Sequence, residues 1–137
     1  MNTATLTVEA DQSLVRLTHI TYLLHAIGLA LGVFGSASIV GAFLGLPSFV
    51  ALVINYVKRG DVRGSWLDSH FGWQIRTFWW VVIWAVIIAT VSLVLLPLLG
   101  LGLVTWWVGL AVLGLWAIYR IVRGWLRLKD HQPMPLG

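Results

Sequence analysis

The chain reads as an all-α integral membrane bundle of about four transmembrane helices, with an interfacial amphipathic segment between the second and third. Three observations predict this class. Of its 137 residues, 59% are hydrophobic and only 10% charged, too few polar groups to cover a globular surface. The mean hydropathy is +0.90. The apolar residues fall in runs of about twenty, the length a helix needs to cross a hydrocarbon core of roughly 30 Å.

Residues 1–15 form a polar N-terminal tail carrying Glu9 and Asp11 where a cleaved signal would place basic residues, so insertion is expected to rely on the first helix. The first span covers about 17–34 behind Arg16 and ends at the small residues Gly35, Ser36 and Ser38. The second, about 39–57, contains Pro47, which removes a backbone donor and predicts a kink between Gly45 and Ser48; a re-entrant hairpin is the competing reading. Residues 58–76 are the one long polar stretch. Wound as a helix, it places Trp66, His70, Trp73 and Gln74 on one face and Asp68, Gly72 and Arg76 on another, the pattern of a segment at the membrane surface. The third span, about 77–96, is rich in β-branched residues and stops at Pro97. A turn with Gly100 and Gly102 leads to the fourth span, about 105–122. The membrane domain is thus expected over 16–127, followed by a tail over 128–137 with Pro133 and Pro135.

The charges sort by segment. Glu9, Asp11 and Arg16 precede span one. Lys58, Arg59, Asp61, Arg63, Asp68 and Arg76 separate spans two and three, and Arg120, Arg123, Arg127, Lys129 and Asp130 end or follow span four. With four spans these segments share a side, and their excess of Lys and Arg places that side in the cytoplasm, with both termini. The expected location is the bacterial inner membrane. Trp66, Trp73, Trp79, Trp80 and Trp125 fall at that level and Trp106 with Trp107 at the opposite interface, while Trp84 and Trp116 lie deeper and are expected between helices.

A net charge of +4 is spread beside hydrophobic runs and forms no separate basic domain. The expected partner is therefore anionic lipid headgroups, joined by a membrane-protein partner or a second copy, and not nucleic acid. Without cysteine the chain has no disulfide and no thiolate metal site.

The candidate binding residues are Asp61, Arg63, Trp66, Asp68, His70, Gln74 and Arg76 with Arg120 and Arg123, which set both charge signs and an imidazole at one interface. Asp61 with Arg63 and Asp68 with Arg76 could equally neutralise one another around tryptophan anchors. A sharper alternative is an anion held between Arg76 and Arg120. His19, His25 and Asn55 are the candidate intramembrane polar residues. The two histidines stand about 120° apart around the helix, which disfavours shared ligation of one ion, so no metal or cofactor is expected. His25 is expected to bond Tyr22 or a backbone carbonyl. Gly28, Gly32 and Ser36, and Gly41 with Gly45, are spaced by four, which lets helices approach closely in lipid.

The stretch Ile54-Asn55-Tyr56-Val57-Lys58-Arg59, continued by Asp61 through Trp80 and later by Tyr119-Arg120-Ile121-Val122-Arg123-Gly124-Trp125, resembles an uncharacterised family of small bacterial membrane proteins near the DUF4870 group. Members of that group carry an acidic residue, then His, then Gln between spans, matched here by Asp68, His70 and Gln74. The group is distantly similar to the four-helix Tic20-like fold of chloroplast import channels. The resemblance implies architecture over roughly residues 16–133 and no reaction, cofactor or partner.

The function expected on these grounds is non-enzymatic: a scaffold, assembly or regulatory subunit acting through its cytoplasmic interfacial segment. No nucleophile and base pair is visible and no acidic or basic residue lies mid-span. A small, oligomeric transporter or channel lined by His19, His25 and Asn55 around a Pro47 break is the alternative. A lipid-acting enzyme using Asp68 and His70 comes third.

Overall fold

The computed structural model describes residues 11–35 and 45–135. Among the described residues four helices follow in order: α1 (Gln12–Gly35), α2 (Leu46–Val57), α3 (Leu67–Leu95) and α4 (Leu101–Lys129). Glu9, the turn residues Ser36 and Ser38, Gly41 and the expected start of span two at residue 39 lie outside the described residues. So does the end of the C-terminal tail. The chain is a membrane protein: α1, α3 and α4 are each long and apolar enough to cross a bilayer.

Helix α1 starts earlier than the hydrophobic run. The Ser13 N–H donates to Asp11 Oδ1 at 2.9 Å, an N-cap that sets the first turn at Gln12 and puts Arg16 inside the helix. That bond also holds the exposed Asp11 carboxyl below its ordinary pKa. In the described part of span two, Gly45 is the N-cap of α2 and Pro47 sits in its first turn; residues 36–44, which would form the other arm of the expected kink, lie outside the described residues. First-turn N–H groups have no partner inside a helix, so a proline there starts the helix without bending it. The twelve described residues of α2 span about 18 Å.

The polar stretch after α2 divides in two. Residues 58–66 form successive turns, with Gly64 at φ 79°, and Val62 plugs wholly into the core. From Leu67 the chain is helical without interruption to Leu95, about 43 Å. No proline intervenes, and the inward face set by His70, Trp73 and Gln74 continues into Thr77. Helix α3 therefore holds both the amphipathic segment and the third span. Gly100, at φ 76°, turns the chain into α4, and Gly102 packs so closely on the Ser92 carbonyl that a Cβ would overlap it.

The helices form two antiparallel hairpins, α1 with α2 and α3 with α4. A Cβ on Gly28 would overlap Ser48 of α2, so this small-residue position serves packing within the chain. Gly32 faces open space. The hairpins join where α1 and α3 begin and α2 and α4 finish, through Tyr22, Val62, Leu67, Phe71, Trp73, Ile121 and Leu128. All described charged residues lie in this half. In the opposite half large apolar side chains face outward, and Trp84, expected between helices, is 47% exposed. It points away from Val81 and Ala85, which line the inside of the bundle.

Candidate functional site

Two places in the bundle gather polar groups. The first is the charged end. His70, fully buried on α3, bonds on both ring nitrogens: Nε2 to the Gln132 carbonyl at 2.8 Å and Nδ1 to the Tyr22 hydroxyl at 2.9 Å. A carbonyl only accepts, so Nε2 carries the proton; in the neutral ring Nδ1 is left to accept the Tyr22 proton. His131, at φ 55°, reverses the chain after α4 and so delivers Gln132. Ser69 Oγ then accepts the Met134 N–H at 2.9 Å, and the Met134 side chain is buried. The imidazole thus ties α1 and the C-terminal segment to α3, with Trp66 set at 5.5 Å from the His70 and His131 rings.

Sequence spacing alone leaves this arrangement invisible. Tyr22, Ser69, Gln132 and Met134 were not among the sequence candidates, and no local pattern pairs a tyrosine with a histidine 48 residues away. Tyr22 reaches His70 because residue 124 is glycine; a Cβ there would overlap the ring.

Beside it, Arg120 is held by α3 without a carboxylate. Its Nε donates to Thr77 Oγ1 at 2.8 Å, its guanidinium lies 3.7 Å from the Trp73 ring centre, and its carbonyl accepts the Trp73 indole N–H at 3.1 Å. Cation–π contact of this kind is worth about 0.5–2 kcal/mol depending on desolvation. Arg123 donates to the Tyr119 hydroxyl at 3.0 Å. The single ion pair among the described residues is Lys58 with Asp61 at 2.9 Å. This replaces the expected Asp61–Arg63 pairing, and Asp68 and Arg76 form no bridge either. Three residues along a tight turn bring Lys58 and Asp61 together. Arg16, Arg59, Arg63, Arg76 and Lys129 are exposed.

The second place is inside the bundle, where the hairpins leave a half-open cavity of about 640 Å³ lined from all four helices. His25 and Gln74 line it. The Nε2 atoms of both are buried and have no hydrogen-bond partner. The expected bond from His25 to Tyr22 is absent because the tyrosine hydroxyl is taken by His70; His25 instead faces Phe78, ring centres 6.3 Å apart.

The three intramembrane candidates separate. Only His25 lines the cavity. His19 accepts the Trp125 indole N–H at 2.9 Å near the charged end, and Asn55, fully buried, donates from Nδ2 to Gln74 Oε1 at 2.8 Å. Among the described residues no three His, Asp or Glu side chains converge as a metal site would require. No protein-family model matches the chain, and no curated protein or solved structure matches it.

Proposed function

We propose that the chain is a non-enzymatic, multi-pass protein of the bacterial inner membrane, with both termini cytoplasmic, that acts as a scaffold, assembly or regulatory subunit through its charged end. One observation carries this reading. The C-terminal segment is pinned to His70 and Ser69, which makes the charged end a fixed surface, while Arg16, Arg59, Arg63, Arg76 and Lys129 stay exposed on it. Exposed cations beside apolar helix ends attract anionic headgroups by about 1 kcal/mol each and obey the positive-inside bias. A membrane-protein partner or a second copy would dock on the same face. The resemblance to the DUF4870 group, with its distant Tic20-like architecture, belongs to the same proposal.

A conduction path fits less well, since His19, His25 and Asn55 do not share one lining. Crosslinking in native membranes followed by mass spectrometry tests the proposal: crosslinks from Arg59, Arg63 or Lys129 to one dominant protein are expected. Absence of any partner, together with solute flux through liposomes above the protein-free background, would overturn it in favour of transport.

A further inference from the structure

We infer that the outer groove between α3 and α4 is a binding site for one anionic phospholipid, its phosphate held by Arg76, Arg120 and Arg123 and its acyl chains laid along the two helices. The site rests on the reading that the charged end meets anionic headgroups. Its centre is Arg120, which α3 fixes in place: Nε donates to Thr77 Oγ1 at 2.8 Å and the guanidinium lies 3.7 Å from the Trp73 ring centre. With Nε used, the Nη edge of the fork is what remains for a ligand. The Arg123 guanidinium approaches the same Trp73 ring, at 5.9 Å, and Arg76, three residues beyond Trp73 on α3, is exposed. Both stand near enough to repel the Arg120 charge. Like charges gathered in this way hold an anion strongly when no carboxylate already serves them. None does, since the one ion pair among the described residues joins Lys58 to Asp61.

The surroundings of the arginines decide the kind of anion. Arg76, Trp80 and Ile83 follow one another at helical spacing on α3, and Arg123, Tyr119 and Val112 do so on α4. Trp80, Ile83, Tyr119 and Val112 are all exposed, and none of the six lines the cavity between the hairpins. Each stripe therefore runs from an arginine into the surface that faces hydrocarbon. A phosphate ester carrying acyl chains matches both ends, its oxygens on the planar arginine fork and its chains on the apolar stripes. The Trp80 and Tyr119 rings then lie at the level of the ester groups, where amphipathic rings are most favourable. A zwitterionic head fits poorly, because its ammonium would stand beside three guanidinium groups.

Native mass spectrometry of the full chain in detergent tests the site, with phosphatidylglycerol and phosphatidylcholine of identical acyl chains as probes. One retained phosphatidylglycerol is expected, bound about tenfold more tightly than phosphatidylcholine. Arg76→Gln and Arg123→Gln should each weaken it about fivefold. Lys58→Gln removes the same charge from the α2–α3 turn and should change it by less than about twofold. Glycerol phosphate, the head without its chains, should not displace the lipid at equal concentration. Displacement by glycerol phosphate would overturn the lipid and assign the arginines to a soluble phosphate ester. A loss in Lys58→Gln as large as in Arg76→Gln would overturn the site in favour of diffuse surface charge. Equal binding of the two lipids would overturn lipid recognition, and the crosslinking experiment would still decide separately whether the charged end docks a protein.

Discussion

In the charged half of the bundle Tyr22, Val62, Leu67, Phe71 and Leu128 lose all their exposure, whereas in the opposite half Val86, Leu93, Val94, Leu103 and Val104 keep more than half of theirs. The charged residues belong to the first half alone, but both halves are rich in Leu, Val and Trp, so their apolar composition does not separate them. What differs is the solvent each is designed for. The charged half packs like the core of a water-soluble protein and ties distant segments together through buried polar side chains such as Tyr22 with His70 and Asn55 with Gln74. The far half offers its side chains to hydrocarbon, where apolar contact with lipid is as good as contact with protein and only close backbone approach, as at Gly102, holds helices together.

Substitutions should therefore act unequally by half. The largest effect is expected for Tyr22→Ala, which empties a fully buried ring site and frees His70 Nδ1; a loss of about 3–5 kcal/mol should appear in a reversible unfolding titration in detergent. His70→Phe keeps the volume but strands the Tyr22 hydroxyl and the Gln132 carbonyl. About 2–4 kcal/mol is expected, with faster proteolysis of the segment after Lys129 as a local readout. Arg120→Lys keeps the charge and loses the planar stack on Trp73 and the Nε bond to Thr77. About 1–2 kcal/mol and a shift in tryptophan emission should follow. Val94→Ala, on an exposed face of α3, should stay within about 0.5 kcal/mol. A loss at Val94 as large as at Tyr22 would erase the contrast and place a protein contact on the far half.

The contrast also explains what could be read from the amino-acid order. Helical periodicity distinguishes the His70, Trp73 and Gln74 face from Arg76 because i, i+3 and i+4 positions align whatever surrounds them. The one-sided charge is legible because it follows from position along the chain. Pro47 is ambiguous by nature, since a proline fits both a kink and a first turn; in the described residues it stands in the first turn of α2, behind Gly45. The Tyr22–His70–Gln132 chain and the His19–Trp125 bond join residues far apart, and nothing local encodes them. The cavity is illegible for the same reason: its small residues read equally well as close-packing positions, the role Gly28 takes and Gly32 does not.

Shared sidedness of the charged segments is the claim on which the rest stands, and the chain has no cysteine to interfere with its test. Ser65→Cys, Lys129→Cys and Leu99→Cys place single thiols in the α2–α3 turn, at the end of α4 and at the α3–α4 turn. In intact cells a membrane-impermeant maleimide should label Leu99→Cys alone, and Ser65→Cys and Lys129→Cys only after permeabilisation. Labelling of Ser65→Cys or Lys129→Cys from outside, or of all three from one side, would contradict the arrangement.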